Sequence, residues 1–181
     1  DLYQWAFDNT VWFNNQPDGL VYAGKVAYKY KGECPANVTI EDGTLGIADT
    51  AFDGCTGLTS ITIPDSDTRI GVYSFYGCTG LTSITIPDSV TSIGDDAFYY
   101  CTGLKSITIP DSITSIGSAA FAGCFGLNSI TIGSGIESIG ASAFMGCVAL
   151  KSVNYCGSVA KWCGISFDND SANPIRYSKE I

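Results

Sequence analysis

Ile93-Gly94-Asp95-Asp96-Ala97-Phe98-Tyr99-Tyr100-Cys101-Thr102-Gly103-Leu104-Lys105-Ser106-Ile107-Thr108-Ile109-Pro110-Asp111-Ser112-Ile113-Thr114-Ser115 is a 23-residue unit that recurs, with small changes, across residues 47–155. Phenylalanine returns at 52, 75, 98, 121 and 144, cysteine at 55, 78, 101, 124 and 147, and leucine at 58, 81, 104, 127 and 150. Three columns at one interval across five copies mark a solenoid, in which each copy is one coil stacked on the next.

Each coil divides into a strand and a turn. Leu58 turns a corner, after which Ile61 and Ile63 point inward and Ser60 and Thr62 outward, because side chains alternate along a strand. Pro64, Pro87 and Pro110 close the strand because they have no N–H for the ladder. Ile70, Ile93, Ile116 and Ile139 then re-enter the core. The Ala-Phe-x-Gly-Cys segment predicts one helical or 3₁₀ turn, and Gly57, Gly80, Gly103 and Gly126 predict a left-handed exit from it. Coil one carries Asp67 where its sisters have Val90, Ile113 and Ile136, so it is either splayed or pairs Asp67 with Arg69.

The array needs ends. Residues 1–46 read as an aromatic lead-in (Trp5, Phe7, Trp12, Phe13), a hairpin turning at Ala23-Gly24 that covers the first coil, and an initial strand at Val38-Thr39-Ile40. Residues 47–155 hold the five coils. Residues 156–181 break the period and read as a terminal cap, with an amphipathic helix at 158–163 and a brief strand at 165–167. All of it makes one domain.

Composition narrows the function classes. The 181 residues include 45% apolar but only 15% charged side chains, and the net charge of −9 without histidine argues against nucleic acid. Lack of histidine also leaves no usual base to activate a serine or cysteine. Five of the eight cysteines form the repeat column and read as small buried hydrophobes. Cys34, Cys156 and Cys163 stand outside it, and Cys156–Cys163 is a candidate bridge. No apolar run is long enough to span a bilayer. A chain that begins with Asp1 reads as processed or trimmed, with any secretion signal upstream, and Asn37-Val38-Thr39 and Asn169-Asp170-Ser171 match the glycosylation sequon.

The unit closely resembles the repeat of BspA-like leucine-rich-repeat proteins, surface or secreted proteins of bacteria and some protists. Residues 16–32 are similar to that family's lead-in, and residues 157–167 to its close. The resemblance implies a right-handed leucine-rich-repeat solenoid, export, and adhesion to host or partner proteins, with no catalytic motif. Gly133, in place of the proline, departs from the pattern, as does Asp67.

Two surfaces are candidates for binding. Tyr73, Tyr76, Tyr99 and Tyr100 lie on the turn side in adjacent coils, and Phe125 follows where earlier copies have threonine. Such patches favour protein or sugar, each ring offering apolar area and each tyrosine a hydroxyl. On the strands, Ser60, Ser83, Ser106 and Ser129 run beside Thr62, Thr85, Thr108 and Thr131 as a hydroxyl-lined face, equally readable as a soluble surface whose hydroxyls bond along the ladder. Asp42, Asp65, Asp88 and Asp111 form a column read as turn acceptors rather than a calcium site. The expected protein is a monomeric, non-enzymatic extracellular binding or adhesion module without cofactor, neither nucleic-acid-binding nor membrane-inserted. An architectural spacer and a glycan-binding module are the alternatives.

Overall fold

Phe52, Phe75, Phe98, Phe121 and Phe144 form one row through the core, all fully buried. Their centroids are 5.2 to 5.4 Å apart and their planes within 7° of parallel. The structure is a computed structural model and describes residues 6–178; Trp5 lies outside them.

The strand side of the coils carries β3 (Asn37–Thr39), β5 (Ser60–Thr62), β8 (Ser106–Ile109), β10 (Ser129–Ile132) and β12 (Ser152–Tyr155). They pair in parallel at the repeat interval, Ser106 with Ser129 and Ser129 with Ser152. A second sheet runs along the other side. It contains β4 (Gly46–Ile47), β6 (Arg69–Ile70), β7 (Ser92–Ile93), β9 (Ser115–Ile116), β11 (Ser138–Ile139) and β13 (Ser166–Phe167). At its start stands the antiparallel hairpin of β1 (Gly19–Ala23) and β2 (Val26–Lys31), with β2 pairing in parallel to β4. The hairpin adds strands with hydrogen bonds of their own, so the first coil does not end on an open edge.

The lead-in packs as a unit. Rings of Phe7, Trp12 and Phe13 surround Tyr28, whose hydroxyl donates to Asp8 and accepts from the Phe7 N–H. The helix α1 (Val11–Asn14) starts at Thr10, which accepts from the Phe13 N–H. At the far end, α2 (Val159–Cys163) starts at Ser158, and β13 adds a sixth turn to the five read from the period. Two short 3₁₀ turns (Asp170–Ala172 and Pro174–Arg176) follow, placing Ala172 in the core.

Several expectations change. The Ala-Phe-x-Gly-Cys segments are not helical. Single i→i+3 bonds such as Cys101 N–H to the Phe98 carbonyl alternate with bonds to the next coil such as Phe98 N–H to the Ala120 carbonyl. Two left-handed positions per coil make this possible: the column of Thr50, Tyr73, Asp96, Ala119 and Ser142, and, four residues on, that of Gly54, Gly77, Tyr100, Gly123 and Gly146, not the predicted glycines. Gly80, Gly103 and Gly126 are needed for close approach instead, since a methyl there would collide with the backbone oxygens of Thr56, Thr79 and Thr102.

The strand side is also not one continuous sheet. Residues 83–86 form no strand pairing, although Ile84 and Ile86 still point into the core. The break lies beside coil one, whose Asp67 is fully buried in the apolar column. Asp67 accepts from the backbone N–H of Arg69, its other oxygen has no partner, and the Arg69 guanidinium reaches Asp49 at 3.3 Å. Burial pushes the Asp67 carboxyl from 3.8 up to about 6. Below about pH 4 both folded and unfolded chains hold this proton, and between about 4 and 6 only the folded chain does. The contribution of Asp67 to stability therefore falls as pH rises across that window, by about 2 to 3 kcal/mol, and is flat above it. Asp67→Val is expected to stabilise the fold more at pH 7 than at pH 4, which urea titrations at the two pH values will show. An equal gain at both would refute the assignment.

Candidate functional site

The cysteine column splits. Cys78, Cys101, Cys124 and Cys147 are fully buried, and their thiols donate to the carbonyls of Phe52, Phe75, Phe98 and Phe121 at 3.1 to 3.2 Å. Burial pushes Cys78 and Cys147 up to about 12 and the two between them well above the ordinary thiol value. They act as core atoms, since the nucleophile is the thiolate. Cys55 departs from the expected row and forms a disulfide with Cys34, their Cα atoms 5.4 Å apart. Cys156 and Cys163, offered as a bridge, are free and exposed. Iodoacetamide applied to the native, oxidised protein is therefore expected to label Cys156 and Cys163 and spare the buried four, as peptide mapping would show.

In the acidic column, Asp111 departs from the turn reading. Asp111 accepts from the Ser134 N–H of the next coil at 2.6 Å, not from its own turn. Two acids not singled out from the sequence do the same: Asp49 accepts from Val72 and Asp95 from Ser118, each 23 residues on. That interval was the available signal. Among the described residues, no three acids, cysteines or histidines are grouped to hold a metal.

The hydroxyl face stands on the strand side with Ser83, Ser106, Thr62, Thr85 and Thr108 exposed and Ser60, Ser129 and Thr131 half-buried. The inter-coil hydroxyl bonds run mostly through other columns. Thr82 donates to the Thr59 carbonyl, and Thr91 and Thr114 to those of Thr68 and Thr91. In the face itself Ser60 donates to the Asn37 side chain.

The aromatic candidates come together as one ridge on the turn side. Tyr73 meets Tyr76 edge-on at 5.6 Å, and Tyr76 stacks on Tyr99 at 5.2 Å with planes 2° apart. Tyr99 touches Tyr100 at 4.7 Å, and Tyr100 meets the edge of Phe125 at 5.6 Å. Tyr76, Tyr100 and Phe125 are 37%, 43% and 45% exposed, and Met145 and Val148 prolong the exposed apolar surface onto coil five. Period alone set the tyrosine column, but Met145 and Val148 were missed because each is unremarkable by itself.

Backbone conformation singles out Tyr100. It has φ +59° in the column that the other coils fill with Gly54, Gly77, Gly123 and Gly146, all at positive φ. A left-handed residue with a side chain costs roughly 1 to 2 kcal/mol relative to its usual conformations. The ring lies over Gly123, where a methyl would stand 3.1 to 3.3 Å from three of its carbons. Tyr73 is also left-handed, at φ +54°, and the Asp96 carboxylate beside it, together with burial, raises its phenol above the ordinary value.

The coil geometry and these columns match a family model described as the BspA type leucine-rich repeat region, in six copies over residues 45–173. The chain belongs to the BspA-type leucine-rich-repeat family. A leucine-rich cell surface protein of Faecalibacterium prausnitzii superposes with a TM-score of 0.76 at 37% identity, over 80% of this chain and 38% of its own. The T. pallidum leucine-rich repeat protein gives 0.68 at 32%, over 71% and 62%, and a leucine-rich repeat protein from Bacteroides ovatus gives 0.60 at 36%, over 68% and 34%. The chain thus spans less than two thirds of the length of each. Among curated proteins none matches. The BspA-type match accounts for the sixth copy, since β13 and Ala172 continue the isoleucine and phenylalanine columns. Among the described residues, no helix is long and apolar enough to cross a membrane.

Proposed function

We propose that the chain is an extracellular binding module that docks a partner protein on the ridge from Tyr73 to Phe125. The observation that carries this reading is Tyr100, an exposed ring held in a left-handed conformation where glycine would fold more easily. Strain of this kind persists where function requires it. The scaffold beneath is rigid, so little ordering entropy opposes docking. Acids border the ridge, with Asp53 one coil before Tyr76 and Asp96 one coil after Tyr73 in their columns. The complementary partner surface is apolar with basic residues at its rim. An internal disulfide suits an oxidising compartment, in keeping with the similar leucine-rich cell surface protein of Faecalibacterium prausnitzii.

Restoring the sister residues tests this. Tyr100→Gly with Phe125→Thr is expected to leave thermal stability unchanged or up to about 1 kcal/mol higher, while weakening binding at least tenfold. Binding would be measured against immobilised extracellular-matrix proteins, alongside a glycan array. Binding by wild type to the glycans alone would favour a sugar-recognition module, and binding to neither an architectural spacer. Equal binding by variant and wild type would remove the ridge from the interface.

A further inference from the structure

Ser-Ile-Thr-Ile stands at residues 60–63, 83–86, 106–109 and 129–132. In coils one, three and four it forms β5, β8 and β10, each paired in register with a neighbour. In coil two it pairs with nothing. Among the described residues, no backbone–backbone hydrogen bond joins residues 83–90 to coil one or coil three, although Ile84 and Ile86 keep their places in the core. The four segments are identical, so the cause lies in their surroundings rather than in propensity. Bonding resumes on either side of the gap. The Thr82 N–H donates to the Thr59 carbonyl and the Thr91 N–H to that of Thr68.

A side-chain link is missing at the same place. Ser66 and Ser112 donate to the carbonyls of Thr44 and Val90 in the preceding coil, whereas the Ser89 hydroxyl, in their column, is buried without a partner. Its acceptor by position is the carbonyl of Asp67. Asp67 is also the one acid in its column, fully buried with one carboxyl oxygen unbonded, where the sister coils place Val90, Ile113 and Ile136. The other sides of coil two are closed. β7 pairs with β6 and β9. On the turn side, Phe52 and Gly54 N–H donate to the Ser74 and Tyr76 carbonyls, and Phe75 and Gly77 N–H to those of Ala97 and Tyr99, at 2.7 to 2.8 Å. Over the unpaired segment lies a cavity of about 500 Å³, lined by Ser83, Thr85, Asp88, Ser106 and Thr108 among others.

We infer that coil two is a hinge built into the solenoid: its strand side opens and closes about the bonded turn side, and buried Asp67 is the wedge that keeps it from locking. A strand displaced at one corner loses the neighbours on both sides, which accounts for a gap two ladders wide. Local opening occurs where few bonds must break, and here the ladder is already broken. Opening parts coil one from coil three on the hydroxyl face and widens the cavity there. Coils three to five, whose strand ladder is complete, move as one body.

Native-state hydrogen exchange, read residue by residue, tests this. The repeated tetrapeptide gives its isoleucine amides the same sequence neighbours, so their intrinsic rates match. Ile84 and Ile86 should exchange at least about a hundredfold faster than Ile107 and Ile109, at rates that low urea leaves unchanged, as local opening requires. Phe75 and Phe98, bonded on the turn side, should stay slow. Asp67→Val restores the sister residue and should bring Ile84 and Ile86 to within about threefold of Ile107 and Ile109. Three results would overturn the assignment: equal rates at the two isoleucine pairs in the wild type, Phe75 exchanging as fast as Ile84, or Ile84 and Ile86 remaining fast in the Asp67→Val variant.

Discussion

Phe98→Ala is expected to lower the stability of the fold by about 3 to 5 kcal/mol, the range for deleting a buried aromatic ring. Phe98 has no exposed surface and stacks on both neighbours, Phe75 and Phe121, at 5.2 Å. The coils on either side cannot close on the gap, because their separation is set by backbone bonds from Phe75 to Ala97 and from Phe98 to Ala120. Phe144→Ala supplies the comparison. Phe144 stacks only on Phe121, at 5.4 Å, and the next position in its column is Ala172. A solenoid's stability is near to a sum of nearest-neighbour interfaces, so truncation at coil three should cost more than truncation at coil five. Urea midpoints of the two variants decide this. Equal losses would mean that the phenylalanine row is not the axis of cooperation.

The same row explains why so much of the fold was legible. A period of 23 forces like residues into register, so Phe, Cys, Leu and Ile columns announce their burial by recurring. What the period could not reveal is where a copy departs from its sisters. Asp67 was visible as an exception, but its outcome depended on whether a backbone N–H could reach it, and Arg69 turned out to supply that from its main chain. Gly133 shows the reverse case: without the proline it regains an N–H, which donates to the Ile109 carbonyl. The left-handed glycines were misplaced by three residues because this segment of the coil carries two of the chain's three glycine columns. Sequence alone does not say which answers to φ and which to close approach. For the ridge, spacing brought the tyrosines together, whereas the strain at Tyr100 is a dihedral angle and has no sequence signal beyond standing in a glycine column.

The cysteine column gives the second large effect. Each inner thiol donates to a phenylalanine carbonyl 26 residues earlier, and 26 residues before Cys55 stands Lys29, in the capping hairpin rather than in a coil. The row's first sulfur, that of Cys55, has no proton to donate. Cys34 reaches it instead, bridging a sequence separation of 21. Closing a loop of that length restricts the unfolded chain by about 3 to 3.5 kcal/mol in the chain-entropy description. Reduction should lower the denaturation midpoint accordingly, and Cys34→Ser should match it under oxidising conditions while becoming insensitive to reductant. The loss should concentrate at one end, because neighbouring coils couple only in sequence along the array. Hydrogen exchange is then expected to accelerate at Val38 and Ile40, the latter bonded to the Thr62 carbonyl, and to stay slow at Ile107 and Ile130. If exchange quickens evenly from coil one to coil five, the bridge is tied to global unfolding and the end-fastening role assigned to it is wrong.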